Sequence, residues 1–127
     1  MEGRLSDQFR ARTKQFATFT IRFYARLPKQ KEEVRILGKQ LLRSGTSVAA
    51  HVREASRGRS DAEFASKLGG AVQEIDESLL WLELLREECQ ISGDIGRLLE
   101  KEASELIAIM TTMIKRTNQR AQKKEIK

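Results

Sequence analysis

Ser47, His51 and Glu54 stand at i, i+4 and i+7, on one face of a helical stretch. These are the residue types of a serine hydrolase, where the acid orients the histidine and the histidine takes the serine proton. That chemistry also requires an exposed, strained nucleophile and donors for an oxyanion. A regular helix interior supplies neither, because its amides are already bonded. The trio therefore reads as a polar ladder between helices. Two-metal chemistry in a helical bundle calls for a Glu-x-x-His on each of two helices and a glutamate from each of the others. Here there is one histidine, it runs in the order His51-x-x-Glu54, and although Glu74 and Glu77 could face inward the ligand count fails. No catalytic residue, no metal and no cofactor are expected. Cys89, the single cysteine, has no internal disulfide partner and reads as a small, partly buried apolar residue.

The elements that must position these residues are all helical. Phe9, Phe16, Phe19, Phe23 and Leu27 recur in steps that keep them on one helix face, and Pro28 ends or redirects that helix. Val34, Leu37, Leu41, Gly45, Val48 and Val52 follow the three-four alternation of a bundle seam. Interior Gly38 and Gly45 cost about 1 kcal/mol each relative to alanine, which close approach of a neighbouring helix would justify. Gly58 is placed to stop the second helix in a left-handed conformation. Ser60 followed by Glu63 forms a capping box for a third helix, whose stripe is Phe64, Leu68, Val72, Ile75, Leu79 and Leu82. Trp81, Leu84 and Leu85 widen that stripe, so it needs covering on more than one side. After a turn at 90–94, Leu99, Ala103, Leu106, Met110, Met113 and Ile114 mark a fourth. The expected helices are about 5–27, 30–57, 61–88 and 95–118 of one domain spanning 1–127. Residues 1–4 and the basic tail 119–127 are expected to be disordered. Short connections favour an all-α, antiparallel up-down-up-down four-helix bundle assembling as a homo-oligomer.

Charge is distributed unevenly. Residues 1–31 hold eight Lys/Arg against two acids, residues 115–127 six against one, and the middle ten against fifteen. A mildly acidic body with basic ends favours polyanions such as RNA, DNA or anionic lipid, the alternative being frayed, solvated lysine-rich termini. The candidate nucleic-acid contacts are Arg10, Lys14, Arg22, Arg26, Arg57, Arg59, Lys115, Arg116 and Arg120. Arg43, Ser47, Arg53, Glu54, Glu74 and Glu77 read instead as interhelical or intersubunit polar residues that fix register. No run reaches the roughly 20 apolar residues of a membrane span, and no apolar segment follows the basic start, so a cytoplasmic protein without a membrane partner is expected.

With these residues in hand, the chain resembles the bacterial four helix bundle proteins, also called the 23S rRNA intervening-sequence protein family. The resemblance runs from about Phe16 to Lys115. It is carried by Leu27-Pro28, Gln40-Leu41-Leu42-Arg43, Ser44-Gly45-Thr46-Ser47-Val48, Arg53-Glu54-Ala55, Glu63-Phe64, Glu74 with Glu77, and Trp81-Leu82-Glu83-Leu84-Leu85. Many members carry Asn-Ile-Ala-Glu-Gly where this chain has His51-Val52-Arg53-Glu54-Ala55, so only the glutamate is kept. The resemblance implies an antiparallel bundle, a homopentamer around a central channel, and no established enzymatic activity. It extends to the accessory variability protein of diversity-generating retroelements, a similar bundle that binds a reverse transcriptase and nucleic acid. The function expected is a non-enzymatic oligomer that binds RNA or DNA through basic patches. The alternative is a structural or adaptor oligomer that binds another protein.

Overall fold

Four helices account for nearly all of residues 3–126, which the computed structural model describes. They are α1 (Asp7–Ala25), α2 (Glu32–Ser56), α3 (Asp61–Glu88) and α4 (Asp94–Ile126), with no strand among the described residues. Each starts where its local chemistry favours it. The Ser6 hydroxyl accepts the Phe9 amide at 3.1 Å, the Ser60 hydroxyl accepts the Glu63 amide at 3.0 Å, and Asp7, Glu32, Asp61 and Asp94 set negative charge in the first turns. Pro28 follows the end of α1, whose last helical residue is Ala25. α3 ends at Glu88, and the next turn uses Gln90 at φ 56 and Gly93 at φ 128.

The pairs between helices set their register. Ser44 meets Ser78 and Glu54 meets Lys67, which fixes α2 against α3. Arg86 with Glu100, and Asp61 with Arg120 and Lys124, do the same for α3 and α4. Thr20 against Gly45 and Tyr24 against Gly38 do it for α1 and α2. Arg12 with Glu102 links α1 to α4, the least extensive of the helix contacts. The start of α1, the end of α2, the start of α3 and the end of α4 therefore meet at one end. Phe16, Leu41, Val48, Leu68, Ile75, Leu85, Leu106 and Met110 fill the core, all at most 1% exposed. Each large apolar side chain so buried contributes about 2 kcal/mol.

Several expectations change. The tail at 119–127 is not disordered: α4 continues through Ile126, and Lys127 lies outside the described residues. The segment holds no glycine or proline, its Gln, Arg, Lys and Ala are good helix formers, and Arg120 and Lys124, one turn apart, both reach Asp61. Of residues 1–4, Met1 and Glu2 lie outside the described residues, whereas Gly3 and Arg4 are folded onto the end of α2. The Arg4 amide donates to the Ser56 carbonyl at 2.8 Å and its guanidinium to the Gly58 carbonyl at 2.9 Å. Gly58 does not adopt the left-handed region. What requires glycine there is space, since a Cβ would stand 3.1 Å from the Ala55 carbonyl oxygen and from the Phe64 nitrogen. Phe19 leaves the buried stripe and is 41% exposed, because Thr13 and Thr20 occupy the buried face beside Phe16. Their hydroxyls return to the Arg10 and Phe16 carbonyls, so burial leaves no polar atom stranded.

Asp61 ties this end together. The Arg4 guanidinium, bonded at 2.8 Å, holds its carboxyl below the usual aspartate range, with Lys124 and Arg120 adding to the effect. A carboxyl lowered on folding stabilises above its unfolded value, and that stabilisation is lost as pH falls through the lowered one. Asp61→Asn should therefore accelerate amide exchange over residues 118–126 several-fold at neutral pH while leaving α2 unchanged. Acidification below the aspartate range should bring the unsubstituted protein to the same behaviour. Equal protection in both proteins at neutral pH would show that helix propensity alone holds the last turns.

Candidate nucleic-acid interface

The helix ends that meet at the Asp61 end carry most of the positive charge. Residues 4–14 hold four cations and one acid, 53–67 four and three, and 115–125 five and one. That end is thus +8 and the remainder of the chain −2, against a total of +6. Register places three separated basic segments together, an effect stronger than either terminus suggests by itself.

Two clefts open there. The larger, about 610 Å³, lies between the last turns of α2 and the first of α3; Arg53, Arg57, Arg59 and Lys67 rim it, with Glu54 and Glu63 and a floor of Ala49 and Ala50. The smaller, about 160 Å³, lies between α1 and α2 and is lined by Asp7, Arg10, Lys14, Val52 and Arg53 among others. Ala49 and Arg53 belong to both, so the clefts adjoin along α2. Arg53, Arg57, Arg59 and Lys14 are exposed and make no ion pair with any described residue. Lys67 is held by Glu54 at 3.2 Å, and Arg10 is paired with Asp7.

The nine basic candidates divide among three places. Arg10, Lys14, Arg57 and Arg59 line the joined clefts. Lys115 and Arg116 are exposed on α4 outside both clefts, and Arg120 is engaged by Asp61 at 3.4 Å. Arg22 and Arg26 stand elsewhere, on a groove of about 370 Å³ between α1 and α4 lined also by Phe16, Phe19, Ile95 and Leu98. There the Arg22 guanidinium lies 5.8 Å from the centre of the Phe19 ring, and Leu98 is 63% exposed.

The six polar residues divide as well. Arg43 bridges Glu74 and Glu77 at 3.1 Å each, joining α2 to α3, and Glu54 joins the same helices through Lys67. Ser47 does not cross: its hydroxyl donates to the Arg43 carbonyl one turn back, at 2.8 Å. The His51 Nδ1 is buried without a hydrogen-bond partner, and the ring sits over Gly70, where a Cβ would come within 3.0 Å. Ser47, His51 and Glu54 are thus not joined by hydrogen bonds, and the expected ladder reduces to the single Glu54–Lys67 pair. Arg53 belongs with the basic candidates, at the junction of the clefts. Lys67, Arg4 and Lys124 are not among the basic candidates read from sequence, although the charge of the segments holding them is visible there.

Two further pairs fasten α4. Arg12 holds Glu102 through two bonds of 2.7 Å, which keeps the Glu102 carboxyl below its ordinary range, and Arg86 holds Glu100 at 2.9 and 3.1 Å. Among the described residues no group of three or more His, Cys, Asp or Glu is arranged to hold a metal ion, and no helix is long and apolar enough to cross a membrane.

The profile of a family described as the 23S rRNA-intervening sequence protein matches residues 8–112. A crystal structure of a protein with unknown function from the S23 ribosomal protein family, from Bacteroides thetaiotaomicron, is similar to this chain. Identity is 30%, the match covers 84% of this chain and 97% of that one, and the TM-score is 0.76. No curated protein matches the chain.

Proposed function

Because the chain belongs to the 23S rRNA-intervening sequence protein family, whose name states no reaction, we propose that it is a non-enzymatic, oligomeric nucleic-acid-binding protein of the cytoplasm. The observation that carries this reading is the basic end, where Lys14, Arg53, Arg57 and Arg59 line the adjoining clefts with no acidic partner among the described residues. Cations not already paired can exchange their water and counterions for phosphate oxygens, which is the main source of sequence-independent affinity. The pairings between helices support an antiparallel, up-down-up-down bundle, and the family supports a homopentamer. A ring would repeat the basic end on every subunit, and weak contacts would add by avidity.

The test is a titration of generic RNA at low salt. Replacing Lys14, Arg53, Arg57 and Arg59 together by glutamine should weaken binding on the order of a hundredfold, from four lost contacts of up to about 1 kcal/mol each. The Arg22→Gln, Arg26→Gln double variant should bind as before, because those residues lie on the α1–α4 groove. Light scattering on the same samples reads the mass, where a pentamer is expected and a monomer would remove the avidity argument. A quadruple variant that folds and binds RNA undiminished would overturn the interface.

A second reading, a structural or adaptor oligomer binding another protein, is favoured by the α1–α4 groove. Its apolar wall at Phe19 and Leu98 is open to solvent, with Arg22 and Arg26 at the rim. RNA that fails to bind the unsubstituted protein at any salt would move the conclusion there.

A further inference from the structure

Resting on the nucleic-acid reading above, we propose that the basic end binds duplex nucleic acid along its phosphate backbone in preference to single strands. The clefts share Ala49 and Arg53, so they adjoin along α2 as one grooved surface, the trough, between α1 and α3. Its lining includes Ala49 and Ala50, and around them six cations (Arg10, Lys14, Arg53, Arg57, Arg59 and Lys67) outnumber the three acids Asp7, Glu54 and Glu63. Arg53 and Arg57, one turn apart on α2, stand about 6 Å from each other along the axis.

Proteins that grip single strands combine such a groove with aromatic faces on which successive bases stack. All seven aromatic residues of this chain are placed, and none offers a face in the trough. Phe9, Phe16, Phe23 and Phe64 are buried. Phe64 is the one beside the trough, and it lies beneath the Arg4 guanidinium, 5.9 Å from its ring centre. Phe19 faces the α1–α4 groove under Arg22, Tyr24 lies under Lys29 at the opposite end, and Trp81 is half-buried far along α3.

The trough therefore reads charge, and charge is denser on a duplex. Double-stranded DNA presents one phosphate per roughly 1.7 Å of axis, against roughly 3.4 Å for either strand. Arginines gathered at the end of α2 and in the connection after it neutralise more phosphates on the denser, stiffer partner. A flexible single strand gains no stacking here to offset its lower charge and its loss of freedom on binding.

The experiment measures anisotropy at low salt with labelled oligonucleotides of one sequence, presented as RNA duplex, DNA duplex and the separate strands. Each duplex should bind about tenfold more tightly than its own strands, and scrambling the sequence should change affinity by no more than about twofold. The RNA and DNA arms identify which duplex is preferred. In the quadruple glutamine variant both the affinity and the preference should be lost. Strands that bind as tightly as their duplex would overturn this proposal and leave the nucleic-acid reading standing. No binding by any probe would overturn both.

Discussion

Raising salt from about 50 to about 200 mM should weaken nucleic-acid binding by roughly a thousandfold, the loss expected of about six phosphate contacts. The count comes from the joined clefts. Lys14, Arg53, Arg57 and Arg59 are unpaired, and Lys67 and Arg10 can exchange Glu54 and Asp7 for phosphate at little cost, since exposed ion pairs are weak. In a plot of log affinity against log salt the slope should be about −5, and the quadruple glutamine variant should flatten it by about four. Arg120 and Lys124 are left out of the count because Asp61 holds them both. If the slope of the unsubstituted protein were near zero, binding would not be made of phosphate contacts. A partner seated in the apolar α1–α4 groove would behave in that way, or would bind more tightly as salt rises.

The contrast between these two surfaces was hidden in sequence. Helical periodicity says which residues of one helix share a face, but not which helix will stand beside it. Arg22 and Arg26 therefore looked equivalent to Arg10 and Lys14, about two to four turns earlier in α1. The register of α4 separates them, since Leu98 faces Phe19 whereas Arg10 and Lys14 face α2. Arg53 was legible only as part of a pattern, and its position at the junction of two clefts depends on α1 and α3 together. Asp61 was legible as a helix-start acid. That it also collects Arg4, Arg120 and Lys124 depends on contacts spanning more than fifty residues.

Helix existence was far more legible than helix contents. The stripes from Phe9 to Leu27, Val34 to Val52, Phe64 to Leu82 and Leu99 to Ile114 each lie within one observed helix or its immediate end. Apolar periodicity missed the buried hydroxyls. Ser44 and Ser78 are both fully buried and stand 2.7 Å apart between α2 and α3; one hydroxyl donates to the other, whose own proton goes to a carbonyl of its helix, that of Leu41 or Glu74. A serine satisfied in this way occupies a core position without an unpaired polar atom, so polarity alone wrongly marks it as surface. Ends were missed for a related reason. Ser6 caps α1 without a glutamate three residues later, so it lacks the capping-box signature that made Ser60 visible. The last turns of α4 have too few apolar residues to show a stripe, and ion pairs to Asp61 take its place.

Gly45→Val should destabilise the fold by about 3 kcal/mol, the upper part of the range for forcing atoms into a packed interface. Two effects compete at this position. Glycine inside a helix costs about 1 kcal/mol relative to alanine, so on propensity alone substitution should help. Space decides the sign. A Cβ at Gly45 would lie 2.7 Å from the Thr20 Cγ2, 2.9 Å from its Oγ1 and 3.1 Å from its Cβ. Thr20 cannot swing aside easily, because a β-branched side chain in a helix has few rotamers and its hydroxyl is bonded to the Phe16 carbonyl at 2.8 Å. Relief must come from moving α1 away from α2, which opens the contacts of Phe16 and Phe23 with the core. Gly38 lacks this rigidity: its nearest neighbour is the Leu27 Cδ1, the far end of a flexible side chain. Chemical denaturation of Gly45→Val, Thr20→Ala and the double variant gives the coupling directly. Thr20→Ala should restore part of the loss, making the two changes non-additive by more than about 1 kcal/mol. Strictly additive losses would mean that α1 yields as a body and that the glycine is not held by its contact with Thr20.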